Sequence, residues 1–233
     1  MQKYDILLFD ADNTLLDFTT AEYNAFRLTA ESCGLTYSDE LYRTYSAIND
    51  GLWKRLERQK VTLDQLKTER FRLLLLETGL PASDDVSRRM SETYMSSLGT
   101  QSCLIDGAEE ICRRLSRVYT MCLVTNGIAS IQRSRIDGSL LKPYFPHVFI
   151  SEEIGAAKPK PEFFDHVMEK LGYPPKERVL VIGDSLTSDC DGAIAYGLDV
   201  CRYNPDGLSD NGRPITYTVK KLAELAELLL VED

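Results

Sequence analysis

Tyr4-Asp5-Ile6-Leu7-Leu8-Phe9-Asp10-Ala11-Asp12-Asn13-Thr14-Leu15 is the stretch on which the fold turns. Its apolar run, Ile6 to Phe9, stops abruptly in a turn of Asp and Asn. A short run with no polar alternation reads as a strand buried on both faces, as in a parallel sheet. Runs of the same kind recur at 119–124, 147–150, 178–182 and 198–202. Between them, 108–117, 128–140, 161–171 and 188–196 carry helical patterns. In the first of these helices Ala108, Ile111, Cys112 and Leu115 keep the three-four spacing of a half-buried helix. Strands alternating with helices predict an α/β domain with a Rossmann-like parallel sheet core.

The segment after the first strand reads differently. Residues 22–33, 40–58, 62–78 and 83–98 are helical in pattern with no strand between them. Gly34, Ser38, Thr62, Gly79-Leu80-Pro81 and Ser83 supply the stop and start signals. An inserted helical-bundle cap is therefore expected over 15–100, with the α/β core built from 1–14 and 101–233. Residues 222–230 form a leucine-rich closing helix, expected as a packing element.

Composition narrows the function. Of 233 residues, 43% are hydrophobic and 27% charged, which suits a globular protein with a real core. The net charge of −9 argues against a nucleic-acid polymer as partner, because such binders need a positive surface. An anionic small molecule stays open, provided its site is built locally from cations, backbone amides and a metal. The six cysteines form no Cys-x-x-Cys pair and only His147 and His166 are available, so a zinc site is not expected. No run of about 18 apolar residues exists to span a bilayer, and the first residues do not resemble a signal peptide. A reduced, cytoplasmic setting without membrane contact is the default expectation.

Every chemically suggestive residue falls at the end of an expected strand, where open parallel sheets bind ligands. Asp10 and Asp12 follow the first strand; one can attack while the other handles protons, and paired acids suit magnesium. Thr125 and Asn126, before Gly127, can donate to phosphate oxygens, although such residues also serve as plain helix caps. Lys158, in Ala157-Lys158-Pro159-Lys160-Pro161, can neutralise a phosphate beside the nucleophile; the prolines stiffen that loop. Asp184 after Gly183 can complete a metal site, and Asp189 stands five residues on.

In this order and at these places the four motifs resemble the haloacid-dehalogenase-like hydrolase superfamily. They are Asp10-x-Asp12-x-Thr14, Thr125, Lys158 and Gly183-Asp184-x-x-x-x-Asp189. The resemblance spans the whole chain, with the helical insert as the cap. It implies a magnesium-dependent phosphatase acting in two steps. Asp10 is the nucleophile and Asp12 the acid and base. Lys158, Thr125 and Asn126 hold phosphate oxygens. Asp10, Asp184, Asp189 and the backbone carbonyl of Asp12 are the implied metal ligands. Thr14 is expected to orient the turn locally.

Asp12 argues against the dehalogenase branch, which lacks an aspartate there, because a phosphate ester needs a proton on its leaving oxygen. No motif singles out Lys54, Lys60 or Lys67 as the Schiff-base lysine of the phosphonate-cleaving branch. The pattern is most similar to bacterial pyrimidine 5′-nucleotidases, on Asn49-x-x-Leu52-Trp53, Thr125-Asn126-Gly127 and Ile150-Ser151-Glu152-Glu153-Ile154-Gly155. Sialic-acid-phosphate phosphatases share much of it. A small phosphorylated metabolite is the expected partner, with a sugar phosphate or a mutase reaction as alternatives. Asn49 and Trp53 are the candidates for substrate choice, by an amide on a pyrimidine edge and an aromatic on its face.

Overall fold

The computed structural model describes residues 2–230 and divides the chain into two compact units, Met1–Phe18 with Ser102–Asp233, and Thr19–Gln101. In the first unit, six described strands form one parallel sheet: β1 (Ile6–Phe9), β2 (Thr120–Thr125), β3 (His147–Ile150), β4 (Val179–Gly183), β5 (Asp199–Tyr203) and β6 (Tyr217–Val219). Their order is β3-β2-β1-β4-β5-β6. The parallel sheet expected from the apolar runs is present, with β6 as an edge strand that those runs did not reveal.

β1 lies inside the sheet because all four of its residues are apolar and buried. It pairs with β2 through Phe9↔Leu123 on one side and with β4 through Phe9↔Ile182 on the other. Alternate side chains then supply two cores, one per face. Leu7 and Phe9 pack with Leu123, Ile182 and the buried side of α5 (Ala108–Leu115) and α10 (Glu224–Leu229). Ile6 and Leu8 pack with Val124, Val181 and the buried face of α8 (Pro161–Lys170). The chain runs from β1 to β2 and β3 on one side, then crosses to β4 on the other. The order therefore reverses beside β1, and a crevice opens there at the carboxyl ends of the strands.

The second unit is made of helices α1 (Phe18–Ser32), α2 (Asp39–Glu57), α3 (Leu63–Glu77) and α4 (Asp84–Gly99). Ser38, Thr62 and Ser83 cap the last three by accepting from the backbone N–H three residues on, and Thr62 with Gln65 forms a full capping box. Its interior is aromatic: Phe26 stacks on Tyr45 at 4.4 Å, and Tyr45 lies 5.5 Å from both Phe71 and Tyr94. Within this core sits a buried polar relay. Asn49 donates to Glu22 at 2.8 Å and accepts from Arg70 at 3.3 Å. Burial, with the Asp50 charge adding to it, pushes the Glu22 carboxyl up to about 7.

Candidate active site

The turn after β1 is fixed by its own backbone. Leu15 and Leu16 both donate to the Ala11 carbonyl, and Asn13 takes φ 59°, a left-handed conformation that Asn tolerates. Asp10 is held at the strand end by its N–H to the Ile182 carbonyl, 2.8 Å away. Thr14, fully buried, accepts from the Asp184 N–H at 3.1 Å and donates to its carboxylate at 3.3 Å. Its role is thus not the local one expected from the sequence. It ties the β1 turn to the turn after β4.

Lys158 is the centre of charge. Its buried ammonium donates to Asp10 Oδ1 at 2.7 Å, Asp189 Oδ1 at 2.6 Å and the Val124 carbonyl at 2.6 Å. All three of its N–H donors are thereby used. Burial opposes its charge, but Asp10 and Asp189 overcome that and hold its pKa above the ordinary lysine value. The loop carrying it is clamped by Asn126, whose amide accepts from the Lys158 N–H and donates to the Lys158 carbonyl, each at 2.9 Å. The Asn126 side chain is therefore occupied in holding the lysine loop, rather than turned outward.

The carboxylates of Asp10, Asp184 and Asp189 converge, with one oxygen from each lying within 4.8 Å of the others. Burial raises the Asp10 carboxyl well above the ordinary carboxylate range; Lys158 opposes this, while Asp189 and Asp184 add to it. Burial and then the Asp189 charge raise Asp184 to about 7. Three carboxylates against one ammonium leave negative charge for a cation, and an all-oxygen donor set suits a hard dication such as magnesium. Asp189 sits in a π-helical turn (Leu186–Cys190) and accepts from the Ser185 N–H with its second oxygen. A Cβ on Gly183 would overlap the Asp189 side chain, so the glycine is required by that close approach.

The Asp12 carboxylate is not in this cluster. Its Oδ1 accepts from Arg135 Nη1 at 2.5 Å and its Oδ2 from Gln132 Nε2 at 3.0 Å. Gln132 also donates to Thr125 Oγ1 at 2.7 Å. Both partners sit on α6 (Ala129–Asp137) and were not singled out in the sequence. A signal was present: 128, 131, 132, 135 and 136 form the inward stripe of a helix, and two of these five positions are polar. Short helix α7 (Ser151–Ile154) braces α6. Gly127 N–H donates to Ser151 Oγ at 3.0 Å, Ala129 N–H to Glu152 at 2.6 Å, and Arg133 pairs with Glu153 at 2.7 Å. In the helical unit, Asn49 is buried with its amide engaged at both ends, whereas Trp53 is only half-buried.

An aspartate at the end of the central strand, a lysine on its carboxylate and an acidic turn on the neighbouring strand define a hydrolase class. Residues 4–197 match the family model of haloacid dehalogenase-like hydrolases, and the chain belongs to that family. It is 38% identical to the HAD-hydrolase YfnB of Bacillus subtilis, over 100% of this chain and 98% of YfnB. The crystal structure of YfnB bound to magnesium superposes with a TM-score of 0.90, covering 99% of this chain and 100% of that one. The pyrimidine 5′-nucleotidase PynA of Streptococcus pneumoniae is 34% identical, over 97% of this chain and 95% of PynA. The pyrimidine 5′-nucleotidase YjjG of Escherichia coli is 30% identical, over 97% and 98% respectively.

Proposed function

We propose that this protein is a magnesium-dependent phosphatase for small phosphomonoesters, with pyrimidine nucleoside 5′-monophosphates preferred. The observation that carries the reading is the buried Lys158 ammonium joining Asp10 to Asp189 beside Asp184. That arrangement supports reading Asp10 as a carboxylate nucleophile in a site charged for a cation. Two relatives that align over nearly the whole chain are pyrimidine 5′-nucleotidases.

In the first step a carboxylate oxygen of Asp10 bonds to phosphorus. The ester P–O bond breaks, and the leaving oxygen keeps the electron pair and takes a proton from Asp12. In the second step water attacks the phosphorus of the aspartyl phosphate and gives a proton to Asp12. The bond from phosphorus to Asp10 breaks, releasing inorganic phosphate and restoring the carboxylate. Thr125 holds a phosphoryl oxygen as charge shifts, while the Lys158 ammonium, its donors spent on Asp10, Asp189 and the Val124 carbonyl, contributes only its positive charge beside the nucleophile. Asn126 contributes by fixing the Lys158 loop. Asp10, Asp184, Asp189 and the Asp12 backbone carbonyl would hold the metal. Magnesium held by these residues would supply positive charge that offsets the repulsion of an anionic phosphoryl group.

The test is phosphate release from deoxyuridylate by wild-type protein and by Asp10→Asn. A neutral amide cannot form the aspartyl phosphate, so turnover should fall at least about a thousandfold with the fold intact. Substantial activity in folded Asp10→Asn protein would sink the mechanism.

A further inference from the structure

We propose that Gln132 and Arg135 are positioning residues for Asp12, fixing the direction in which that carboxylate trades protons with leaving group and water. The inference rests on the acid–base role given to Asp12 above and adds what holds it.

Three observations carry it. First, both Asp12 oxygens are taken, one by Arg135 Nη1 at 2.5 Å and the other by Gln132 Nε2 at 3.0 Å. A carboxylate gripped at both oxygens is fixed in rotation about its own axis as well as in place. Second, the Gln132 amide has one possible orientation. Its two N–H groups go to Asp12 and to Thr125 Oγ1, and its oxygen accepts from Arg135 Nη1 at 3.0 Å. Flipping the amide would set its oxygen against a carboxylate. Third, Gln132 and Arg135 are 3% and 0% exposed. Burying a guanidinium is costly unless it is paired, and apolar residues would fill the same stripe of α6 at lower cost. The polar pair is therefore explained by what it holds rather than by packing.

The network also reaches the phosphate side of the site. Because Thr125 Oγ1 accepts from Gln132, its own O–H points elsewhere and is free to donate to a phosphoryl oxygen. One amide thus links the proton-handling carboxylate after β1 to the hydroxyl at the end of β2. α7 holds α6 from outside through Ser151, Glu152 and Glu153, so the helix offering these groups is itself braced.

The test exploits leaving-group chemistry. A nitrophenolate departs without a proton, whereas the 5′-alkoxide of a nucleotide needs one. Gln132→Leu, Arg135→Lys, Arg135→Met and Asp12→Asn are compared with wild type on deoxyuridylate and nitrophenyl phosphate. Steady-state kcat and KM and the single-turnover release of each alcohol are measured, with circular dichroism as the fold check. Gln132→Leu should lower single-turnover release from deoxyuridylate by roughly 10–100-fold, a share of the 10²–10⁴ that acid–base catalysis contributes. Its KM should change little, and its nitrophenol burst by under about threefold. Arg135→Lys should retain more of the deoxyuridylate rate than Arg135→Met. Equal losses on both substrates, or a loss confined to KM, in folded Gln132→Leu would overturn the inference even if both Arg135 variants failed to fold. Asp12→Asn separates the two levels. If it too fails to discriminate between the leaving groups, the acid–base reading falls, and the positioning role falls with it. If it discriminates and Gln132→Leu does not, only the positioning role falls.

Discussion

Gly183 shows how the site depends on single atoms. The residue has no left-handed conformation to excuse it; it is glycine because the Asp189 side chain lies where a Cβ would stand. Asp189 in turn receives the Lys158 ammonium, and Lys158 also holds Asp10. Gly183→Ala should therefore push Asp189 away and leave a buried ammonium short of one partner. Disturbing a buried ion pair costs about 3 kcal/mol, which lowers Tm by roughly 6–12 °C for a chain of this size. The kcat for phosphate release should fall at least about tenfold, because 1.4 kcal/mol off transition-state stabilisation already does so. A melt and turnover number matching wild type would show that Asp189 has room to move. Part of this candidate site was legible from residue type and strand-end position: Asp10, Lys158 and Asp184 are each modest signals that point to a site when taken together. What was not legible is which atoms touch. Thr14 reads as a local turn residue until its 170-residue jump to Asp184 is seen. Gln132 and Arg135 stand as two polar positions on the inward stripe of a helix, but their partner Asp12, more than a hundred residues earlier, is seen only in the structure.

At the scale of elements, the helical unit carries a charge problem of its own. Glu22 on α1 is buried and accepts from Asn49 at 2.8 Å and Tyr42 at 3.2 Å. Arg70 reaches Asn49 at 3.3 Å. Burial raises the Glu22 carboxyl from 4.5 to about 7, so the folded state binds its proton more tightly than the unfolded chain does. The stabilisation is fully present below about pH 4.5 and is lost as pH rises through 7, by about 3 kcal/mol in total. Glu22→Gln removes the titration and keeps an acceptor. Urea unfolding should give wild type a steeper fall in stability than Glu22→Gln between pH 5 and 8; equal slopes would place the charge of Glu22 in a better-solvated setting. The helices themselves were plain in the sequence, because Ser38, Thr62 and Ser83 are caps by chemistry and act as such. The short elements were not. β6 has three residues and only Val219 among them is buried, too little for a pattern. The turn at Leu186–Cys190 widens into a π-helix around buried Asp189, which no three-four spacing predicts.

Taken whole, the molecule is an acidic chain of net charge −9, which does not favour the approach of a phosphate. Lys158 has no donor left over, since Asp10, Asp189 and the Val124 carbonyl take all three. An anionic substrate entering beside three carboxylates needs a further positive charge, so phosphate release should stop with a chelator and return with magnesium. Calcium should serve poorly, because it favours more ligands and looser geometry; full activity in chelator would mean the acidic cluster is held by Lys158 alone. Substrate choice is a separate matter, since the phosphoryl site is common to every ester and discrimination comes from groups that bind the rest of the molecule. Of the two residues proposed for it, Asn49 has its amide paired with Glu22 and Arg70, while Trp53 is half-buried on α2. Trp53 is therefore the residue we propose for stacking on a pyrimidine. The measurement is kcat/KM for deoxyuridylate against adenylate and against a hexose phosphate, in wild type and Trp53→Ala. Deoxyuridylate should lead in wild type, and Trp53→Ala should erode that lead by about tenfold, the worth of one aromatic stacking contact of 1–3 kcal/mol. A wild-type preference for the hexose phosphate would move the protein to the sugar-phosphate phosphatases. An unchanged ratio in Trp53→Ala would assign Trp53 to helix packing and leave the chemistry at Asp10 as it stands.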